Sequence, residues 1–412
     1  MNHYRLETKA HDALSTRAYD LLTTLDPLTC SRTEIHDDLY DPLTNPKLTD
    51  PKMFKADLSH LLRYPPPRGY DRAKELLAAY FARFLKVDVD KKNLQLAPGV
   101  TGAYDMLAFT LLDKGDSLLC PAPYYGRVTN DFKERAGVTT LPMPISDPYN
   151  PKLEVVDLEN AYNQYTAKGA KIRAILLINP QNPYGNVFSR NEIIDVCNWA
   201  TSKNMFVIID EIFVSSVYYE AEKFESFLAY RDQLHDADKV FWVWGFSKDL
   251  CMPGAKISVI HTTHLKATKC LSRIELLQPC SSLAQDFAIN LLSDLDWVEK
   301  FHKENVRRLG EQCSLVKTKF QEMGIPFAPC TAGFYIYLNF QDYLAELTHE
   351  EEYKFWRKLC DEGVYLSTGK YFNDSRPGWL RMVFSCEKGM LLEGIISVNV
   401  FIERCLYPSV CH

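Results

Sequence analysis

Between about residues 93 and 262, short apolar runs alternate with segments of helical apolar spacing, and this limits the possible folds more than any other feature. The short runs are almost continuously hydrophobic, which is typical of parallel strands covered on both faces. We therefore predict an α/β fold with a mostly parallel seven-stranded sheet and helices on both faces. The predicted strands span 94–97, 117–120, 138–143, 172–178, 206–210, 240–244 and 257–261.

Beyond residue 264 long helical patterns dominate, and only two further strands are predicted, over 333–339 and 379–384. This change predicts a smaller α+β domain at the C-terminus. At the other end, a predicted helix over 10–25 precedes a segment rich in Pro, Asp and Thr over 26–61. That segment is either an arm lying on a partner or a loop covering the substrate, and the sequence favours neither. The predicted divisions are 1–65 for the helix and arm, 66–285 for a large domain, and 286–412 for a small domain.

Composition excludes several classes of function. The chain has 412 residues, a net charge of -6 and no basic block, which argues against binding to nucleic acid or to an anionic membrane. No run of eighteen apolar residues predicts a membrane span, and the charged first thirty residues lack a secretory signal. The 12 cysteines form no CxxC pair and the 10 histidines show no ligand spacing. We therefore predict a cytoplasmic protein with reduced thiols and no metal site.

The residues that could take part in chemistry follow the predicted strands. Ligands of parallel sheets bind beyond the carboxyl ends of the strands. A glycine-rich turn after the first strand opens a helix, whose N-terminal amides suit a phosphate group. Lys248 follows the sixth strand, where burial would lower the pKa of its amine and favour Schiff-base chemistry. Each feature also has an ordinary structural interpretation. The glycine-rich turn could be a plain turn, an aromatic residue could belong to the core, and the lysine could be a solvated loop residue. The remaining polar or aromatic positions are Tyr124, Tyr125, Asn179, Asn182, Asp210 and Glu211.

Four motifs occur together and in order: NPQNPYGN, DEIF, SKDLCMPG and PGWLR. With them, the sequence over about residues 60–385 resembles the pyridoxal-phosphate enzymes of the aspartate aminotransferase superfamily, fold type I. Within that superfamily it is most similar to 1-aminocyclopropane-1-carboxylate synthase and its relatives. The resemblance implies pyridoxal 5'-phosphate as the cofactor and a three-layer α/β large domain beside a small domain.

The resemblance also implies roles for individual residues. Lys248 would form the Schiff base with the cofactor and then move the substrate's α-proton, while Asp210 would pair with the pyridine nitrogen. Asn182 would donate to the ring hydroxyl, and Arg381 would bind the substrate carboxylate through a two-pronged contact. Further implied cofactor contacts are the stacking ring of Tyr125, the amides of Val100 and Thr101, the side chain of Lys256, and Tyr64 reaching the site of a neighbouring subunit. The last contact implies a homodimer with shared active sites.

Three positions depart from the family pattern. Phe213 stands where a tyrosine usually donates to the ring hydroxyl, Gly245 replaces a phosphate-binding serine, and Lys256 replaces a phosphate-binding arginine. Without the tyrosine donor, we expect the Lys248 imine to stay protonated to higher pH, by roughly one to two pKa units. Without the serine and the planar guanidinium, we expect a looser grip on the phosphate.

The sequence leaves three functional hypotheses open. Members that use S-adenosylmethionine carry an N-terminal Ala-Glu-Asn segment, which has no counterpart here; Glu34, Asp37 and Asp38 lie in the region but in another context. The first hypothesis is a synthase-like lyase, or an enzyme of β/γ-elimination or substitution, acting on an amino acid with a leaving group. The second is an aminotransferase that passes an amino group to a 2-oxo acid. The third is a non-catalytic protein that keeps the fold as a scaffold.

Overall fold

The computed structural model of the chain describes residues 61, 63–219 and 224–406, all of which belong to one compact unit. The predicted N-terminal helix over 10–25 and nearly all of the arm lie outside these residues. Within the described part of the chain, no helix is long and apolar enough to cross a membrane.

A seven-stranded sheet organises the first half of the described chain. Its spatial order is β1-β7-β6-β5-β4-β2-β3. The pairs β2–β3, β2–β4, β4–β5 and β5–β6 are parallel, whereas β7 runs antiparallel to both of its neighbours. The sheet is therefore mostly parallel, as predicted. Its strands are β1 (Leu94–Ala97), β2 (Asp116–Ala122), β3 (Thr139–Pro144), β4 (Lys171–Ile178), β5 (Phe206–Asp210), β6 (Val240–Gly245) and β7 (Ser258–His261).

Helices cover this sheet on both faces. Alternate residues of its strands accordingly belong to two different apolar clusters. In β4, for example, Ile175 and Leu177 belong to one cluster while Ala174 and Leu176 belong to the other. Period-two alternation with both faces buried explains why the strands read as continuous apolar runs. The helices of this half are α1 (Asp71–Phe84), α2 (Gly99–Leu111), α3 (Arg127–Lys133), α4 (Val155–Ala167), α5 (Arg190–Ser202), the single turn α6 (Phe246–Asp249) and α7 (Leu265–Ile274).

The second half contains a three-stranded antiparallel sheet of order β8-β10-β9, with β8 (Tyr335–Asn339), β9 (Ser367–Thr368) and β10 (Trp379–Val383). A separate apolar cluster lies between this sheet and helices α9 (Leu295–Glu322), α10 (His349–Asp361) and α11 (Lys388–Leu406). Helix α8 (Ser282–Leu292) instead packs on α1, in the cluster of the larger sheet. The predicted smaller domain thus has its own sheet and core, while the boundary at 285/286 stays a prediction.

The sequence analysis missed three elements. Helices α3 and α7 were not predicted, and neither was the two-residue strand β9. The turn predicted around Lys248 is the single helical turn α6. Helix α3 and strand β9 are too short for a clear pattern of apolar spacing, whereas α7 has a clear helical pattern that was not recognised.

Candidate active site

Three adjacent parallel strands bring three of the predicted site residues to one edge of the large sheet. Asn182 follows β4, Asp210 is the last residue of β5, and Lys248 lies in α6 directly after β6. In the strand register Ile178 of β4 is opposite Asp210, and Asp210 is opposite Val243 of β6, so the three strand ends lie side by side. This is the carboxyl edge at which ligands bind in parallel sheets.

Lys248 is half-buried and has no carboxylate within 4.0 Å among the described residues. Its Nζ lies 5.0 Å from the centre of the Phe334 ring. Burial, followed by the positive charge of Arg381, lowers the pKa of the Lys248 amine to about 8. About a tenth of the amine is therefore unprotonated at pH 7, and the unprotonated form is the one that acts as a nucleophile or as a general base.

Asp210 is 4 % exposed and has two hydrogen-bond donors but no cation beside it among the described residues. Tyr104 of α2 donates its hydroxyl to Oδ2, and the backbone N–H of Ile212 donates to Oδ1 at 3.0 Å. Burial raises the pKa of Asp210 to about 6, although both hydrogen bonds oppose the rise. A buried carboxylate that lacks a cation is well suited to pair with a cationic group of a ligand.

Arg381 of β10 is 5 % exposed, and no acidic side chain pairs with it among the described residues. Nη1 donates to the amide oxygen of Asn182 at 3.0 Å, and the guanidinium carbon lies 4.7 Å and 5.4 Å from the ring centres of Phe372 and Tyr335. The buried Nε of Arg381 has no hydrogen-bond partner in the described part of the chain. A desolvated guanidinium with an unsatisfied donor calls for an anion, and a carboxylate is the group its fork fits best.

The N-terminus of α2 is the place predicted for the phosphate of the cofactor. Gly99 begins this helix with φ +78, a conformation that other residues rarely adopt. The Nζ of Lys256 lies 3.4 Å from the position a Cβ would take on Gly99, so an ammonium group stands beside the helix N-terminus. Val100 and Thr101 are the next residues of α2, and the Thr101 hydroxyl donates to Asp131 at 3.1 Å. Unpaired helix amides together with an ammonium group are the chemistry of a phosphate site.

Gly245, at the end of β6, is closely surrounded. A Cβ at this position would lie 3.0 Å from the carbonyl oxygen of Ile257, 3.1 Å from Cβ of Ser258 and 3.3 Å from Cγ2 of Val100. The space that a serine side chain would need is thus partly occupied by neighbouring atoms. The replacement of the family serine is thus accompanied by close packing around the glycine.

Phe213 is 3 % exposed, and its ring centre lies 5.6 Å from those of Phe334 and Tyr335. The three rings therefore pack against one another. Phe334 also lies beside Lys248, and Tyr335 lies beside Arg381. Of the other predicted contacts, Tyr125 is 37 % exposed, and Tyr64 is 98 % exposed in the single chain.

Three residues with a place in this site were not identified from the sequence: Tyr104, Phe334 and Tyr335. In the sequence Tyr104 lies among apolar residues of α2, so the ordinary interpretation is a core tyrosine. Phe334 and Tyr335 lie at the start of β8 after Gly333, in a segment that reads only as a buried strand. Their proximity to Lys248 and Arg381 depends on tertiary packing between the two sheets.

The arrangement agrees with the comparison to known families. The family model for aminotransferase class I and II matches residues 15–396. The chain belongs to this family. Its cofactor is pyridoxal 5'-phosphate, as predicted, and the aminotransferase class I and II fold accounts for the parallel sheet and the second, smaller sheet.

Individual relatives support the more specific resemblance. The chain is 31% identical over 374 residues to mouse 1-aminocyclopropane-1-carboxylate synthase-like protein 1, covering 87% of this chain and 72% of the relative. It is 30% identical to the human probable inactive 1-aminocyclopropane-1-carboxylate synthase-like protein 2, covering 79% of this chain and 59% of the relative. The crystal structure of the aromatic aminotransferase of Pyrococcus horikoshii superposes with a TM-score of 0.76 at 21% identity, covering 88% and 93% of the two chains. The last comparison establishes the fold alone.

The residues present fit the cofactor of the family. Asp210 offers a carboxylate for the ring nitrogen, and the helix amides with Lys256 offer a site for the phosphate. The Nδ2 group of Asn182 has no described hydrogen-bond partner, because the described contact uses the amide oxygen. This nitrogen therefore remains able to donate to a ring oxygen, as the resemblance implies.

Proposed function

We propose that this protein is an enzyme that uses pyridoxal phosphate to remove the α-proton of an amino acid, with Lys248 as the base and then as the acid. The observation that carries the proposal is that the half-buried amine of Lys248, whose pKa is lowered, lies near the buried guanidinium of Arg381, which has no acidic partner among the described residues. An amino acid bound through its carboxylate to Arg381 would present its α-carbon on the side of Lys248. A structural protein would gain nothing from burying these two cations close together.

Each residue would make a separate contribution. Arg381 binds and orients the substrate carboxylate, and Asn182 fixes the guanidinium through its amide oxygen. Asp210 keeps a proton on the pyridine nitrogen, and Tyr104 fixes the Asp210 carboxylate. The bound cofactor supplies an electron sink for the carbanion that forms at the α-carbon. The ring of Phe334 lies 5.0 Å from the Lys248 amine, whose pKa is lowered by burial.

Within this chemistry, we propose a lyase of the 1-aminocyclopropane-1-carboxylate synthase-like type, or a β/γ-elimination or substitution enzyme. The support is the similarity to synthase-like relatives over most of the chain. The substrate would then be an amino acid that carries a leaving group on its β or γ carbon. Each of these reactions begins with removal of the α-proton, a task that a single lysine performs.

An aminotransferase is the second candidate, and the match to the aminotransferase class I and II model favours it. The third candidate, a non-catalytic scaffold, has support from Phe213, Gly245 and Lys256 and from the similarity to a relative described as probably inactive. The scaffold hypothesis does not explain why the chain retains four residues suited to binding a ligand: Lys248, Asp210, Asn182 and Arg381.

We further propose a homodimer whose subunits share their active sites. The almost complete exposure of Tyr64 in the single chain supports this proposal, since a phosphate contact from a neighbouring subunit requires an accessible side chain. Location in the cytoplasm stays a prediction.

An absorption spectrum of the purified protein with pyridoxal phosphate tests the enzyme proposal. We expect the wild type to acquire the visible band of a lysine-bound cofactor and Lys248→Ala to lack it. Lys266→Ala, which removes an exposed lysine of α7, serves as the matched control and should keep the band. If the wild type and Lys248→Ala give the same spectrum, Lys248 does not bind the cofactor and the proposal fails.

A panel of amino acids, including S-adenosylmethionine, then distinguishes the activities. A lyase releases its leaving group over many turnovers with no second substrate. An aminotransferase releases one 2-oxo acid per site and stops until another 2-oxo acid is added, which is ping-pong exchange. A loaded protein whose spectrum no amino acid perturbs would favour the scaffold.

A further inference from the structure

Two thiols meet in the core of the smaller sheet, outside the residues assigned to catalysis. Cys313 lies on α9, and Cys330 lies in the loop that leads to β8; their Sγ atoms are 3.2 Å apart. The two side chains are 3 % and 1 % exposed. Because a disulfide bond is about 2.05 Å long, the sulfurs need to approach by only roughly 1 Å to become bonded.

The surroundings give the two cysteines different properties. The hydrogen bond with Cys330, and then the positive charge of Lys317 one turn away on α9, lower the pKa of the Cys313 thiol, although burial opposes them. Burial raises the pKa of Cys330 well above its ordinary value. Cys313 is thus the more acidic of the two thiols. The thiolate is the reactive form of a cysteine, and a second thiol beside it can convert an oxidised sulfur into a disulfide.

Direct contacts connect the pair to the active site. The Cys330 thiol donates to the carbonyl oxygen of Tyr335 at 3.2 Å. The Tyr335 ring lies 5.4 Å from the Arg381 guanidinium, and its hydroxyl donates to the carbonyl oxygen of Gln181 at 3.0 Å. The neighbouring residue, Phe334, faces the amine of Lys248. Loss of the Cys330 S–H therefore removes a hydrogen bond that holds the backbone carbonyl of Tyr335 at the start of β8.

We propose that Cys313 and Cys330 are a redox modification site, at which a hydroperoxide forms a reversible disulfide that weakens substrate binding at Arg381. The Cys313 thiolate attacks one peroxide oxygen, so that an S–O bond forms, the O–O bond breaks, and an alcohol (or water, from hydrogen peroxide) leaves after protonation. The sulfur of Cys330 then attacks the sulfenic sulfur; the S–S bond forms, the S–O bond breaks, and the hydroxide leaves as water with the Cys330 proton. Two thiols lose two electrons in total, and the peroxide gains them.

Peptide mapping tests the disulfide without any assumption about activity. The full chain is treated with hydrogen peroxide under native conditions, its remaining thiols are alkylated, and it is digested with trypsin. Cleavage after Arg308, Lys317, Lys319 and Lys354 places the two cysteines on separate peptides, 309–317 and 320–354. We expect these peptides to be linked, with a mass two hydrogens below their sum, and to separate after treatment with dithiothreitol.

Matched variants identify the pair. Cys313→Ser and Cys330→Ser should each abolish the linkage, whereas Cys360→Ser, which removes a half-buried thiol of α10, should preserve it. Should Cys330→Ser fail to fold, Cys313→Ser alone tests the same pair. Linkage that forms only after the protein is unfolded in denaturant, or linkage of either cysteine to a third one, would overturn the proposal.

The effect on the site rests on the proposed function and is measured separately. We expect peroxide to raise the KM for the amino-acid substrate several-fold in the wild type, dithiothreitol to reverse the change, and Cys313→Ser to be insensitive. A linked pair with unchanged KM would overturn the regulatory half of the proposal. If no amino acid is turned over, the failure lies with the proposed function. Binding of the amino acid, followed by its effect on the cofactor's absorption, then replaces KM as the quantity that peroxide must weaken.

Discussion

Nη1 of Arg381 donates to the amide oxygen of Asn182 at 3.0 Å, which joins the residue predicted to bind the substrate to one predicted to bind the cofactor. The two residues come from different sheets, since Arg381 belongs to β10 and Asn182 follows β4. The contact also fixes the orientation of the Asn182 amide, because its oxygen faces the guanidinium and its nitrogen faces away. This hydrogen bond therefore connects the predicted substrate site to the predicted cofactor site.

Replacement of Asn182 by aspartate tests this coupling. In Asn182→Asp, the new carboxylate would pair with Arg381 and compete with the substrate carboxylate for the guanidinium. A hydrogen bond to a charged group contributes about 1.5–3 kcal/mol, so we expect KM for the amino acid to rise roughly tenfold to a hundredfold. Asn182→Ala removes the same bond without adding a charge and is the control. Equal KM values for the two variants, measured by steady-state kinetics, would show that the guanidinium is not shared.

Cofactor affinity should depend on the protonation of Asp210. Burial raises the pKa of this carboxyl to about 6 in the protein without cofactor, so it is ionised above that pH and neutral below it. Because only the ionised form attracts the protonated pyridine nitrogen, we expect affinity for pyridoxal phosphate to fall by about tenfold per pH unit below about pH 6.

Two variants separate this effect from titration of the cofactor's own phosphate. Asp210→Asn should retain only the pH dependence that the phosphate causes. Tyr104→Phe removes a hydrogen bond that lowers the Asp210 pKa, so its loss of affinity should begin at higher pH than in the wild type. Fluorescence titrations between pH 5 and pH 8 measure these affinities. A Tyr104→Phe profile that coincides with the wild type would remove Tyr104 from the site.

The comparison of sequence and structure shows which features depend on local pattern. Strands β4 and β5 were predicted within one residue of their observed bounds, because both faces of the sheet are buried and the apolar runs are continuous. The strand ends then placed Asn182, Asp210 and Lys248 at one edge by topology alone. What the sequence did not reveal was contact between distant segments. Phe334 faces Lys248, and Tyr104 donates to Asp210, through packing that no periodicity encodes.

The same distinction explains the three departures from the family pattern. The sequence identified Phe213, Gly245 and Lys256 as replacements and predicted a loss at each. The structure adds that Gly245 is enclosed by Ile257, Ser258 and Val100, a consequence of the pairing of β6 with β7. Whether a missing side chain leaves a gap is decided by its neighbours, and these are known only from the fold.

Phe213→Tyr should lower the pH at which the visible band of the cofactor-loaded protein titrates. A tyrosine hydroxyl would donate to the ring oxygen of the cofactor and favour the deprotonated form, by about 1.5–3 kcal/mol or roughly one to two pKa units. We therefore expect the spectrophotometric midpoint to fall by that amount relative to the wild type. Phe213→Leu removes the ring but adds no donor, and its midpoint should stay near that of the wild type. An unchanged midpoint in Phe213→Tyr would mean that this position does not reach the cofactor.

Affinity for the cofactor should depend on Lys256, and it should not increase when Gly245 is replaced by the serine of the family. The ammonium of Lys256 stands beside the N-terminus of α2, so Lys256→Ala should weaken cofactor binding about tenfold to a hundredfold, which corresponds to the loss of a charged hydrogen bond. Lys256→Arg supplies a planar fork and should bind at least as tightly as the wild type. Lys266→Arg, an exposed substitution on α7, is the control and should leave the dissociation constant unchanged.

Gly245→Ser restores the family residue, yet its Cβ would lie 3.0 Å from the Ile257 carbonyl oxygen and 3.3 Å from Val100. Overpacking of this kind costs about 1–3 kcal/mol, so we expect a lower free energy of unfolding and no gain in cofactor affinity. Adding Val100→Ala removes one of the close contacts and should recover part of the stability, while the contact with the carbonyl oxygen remains. Denaturant unfolding and cofactor titration of the single and double variants measure both quantities. If Gly245→Ser bound the cofactor more tightly and were as stable as the wild type, the end of β6 would be able to accommodate the serine. Close packing would then not explain the glycine at this position.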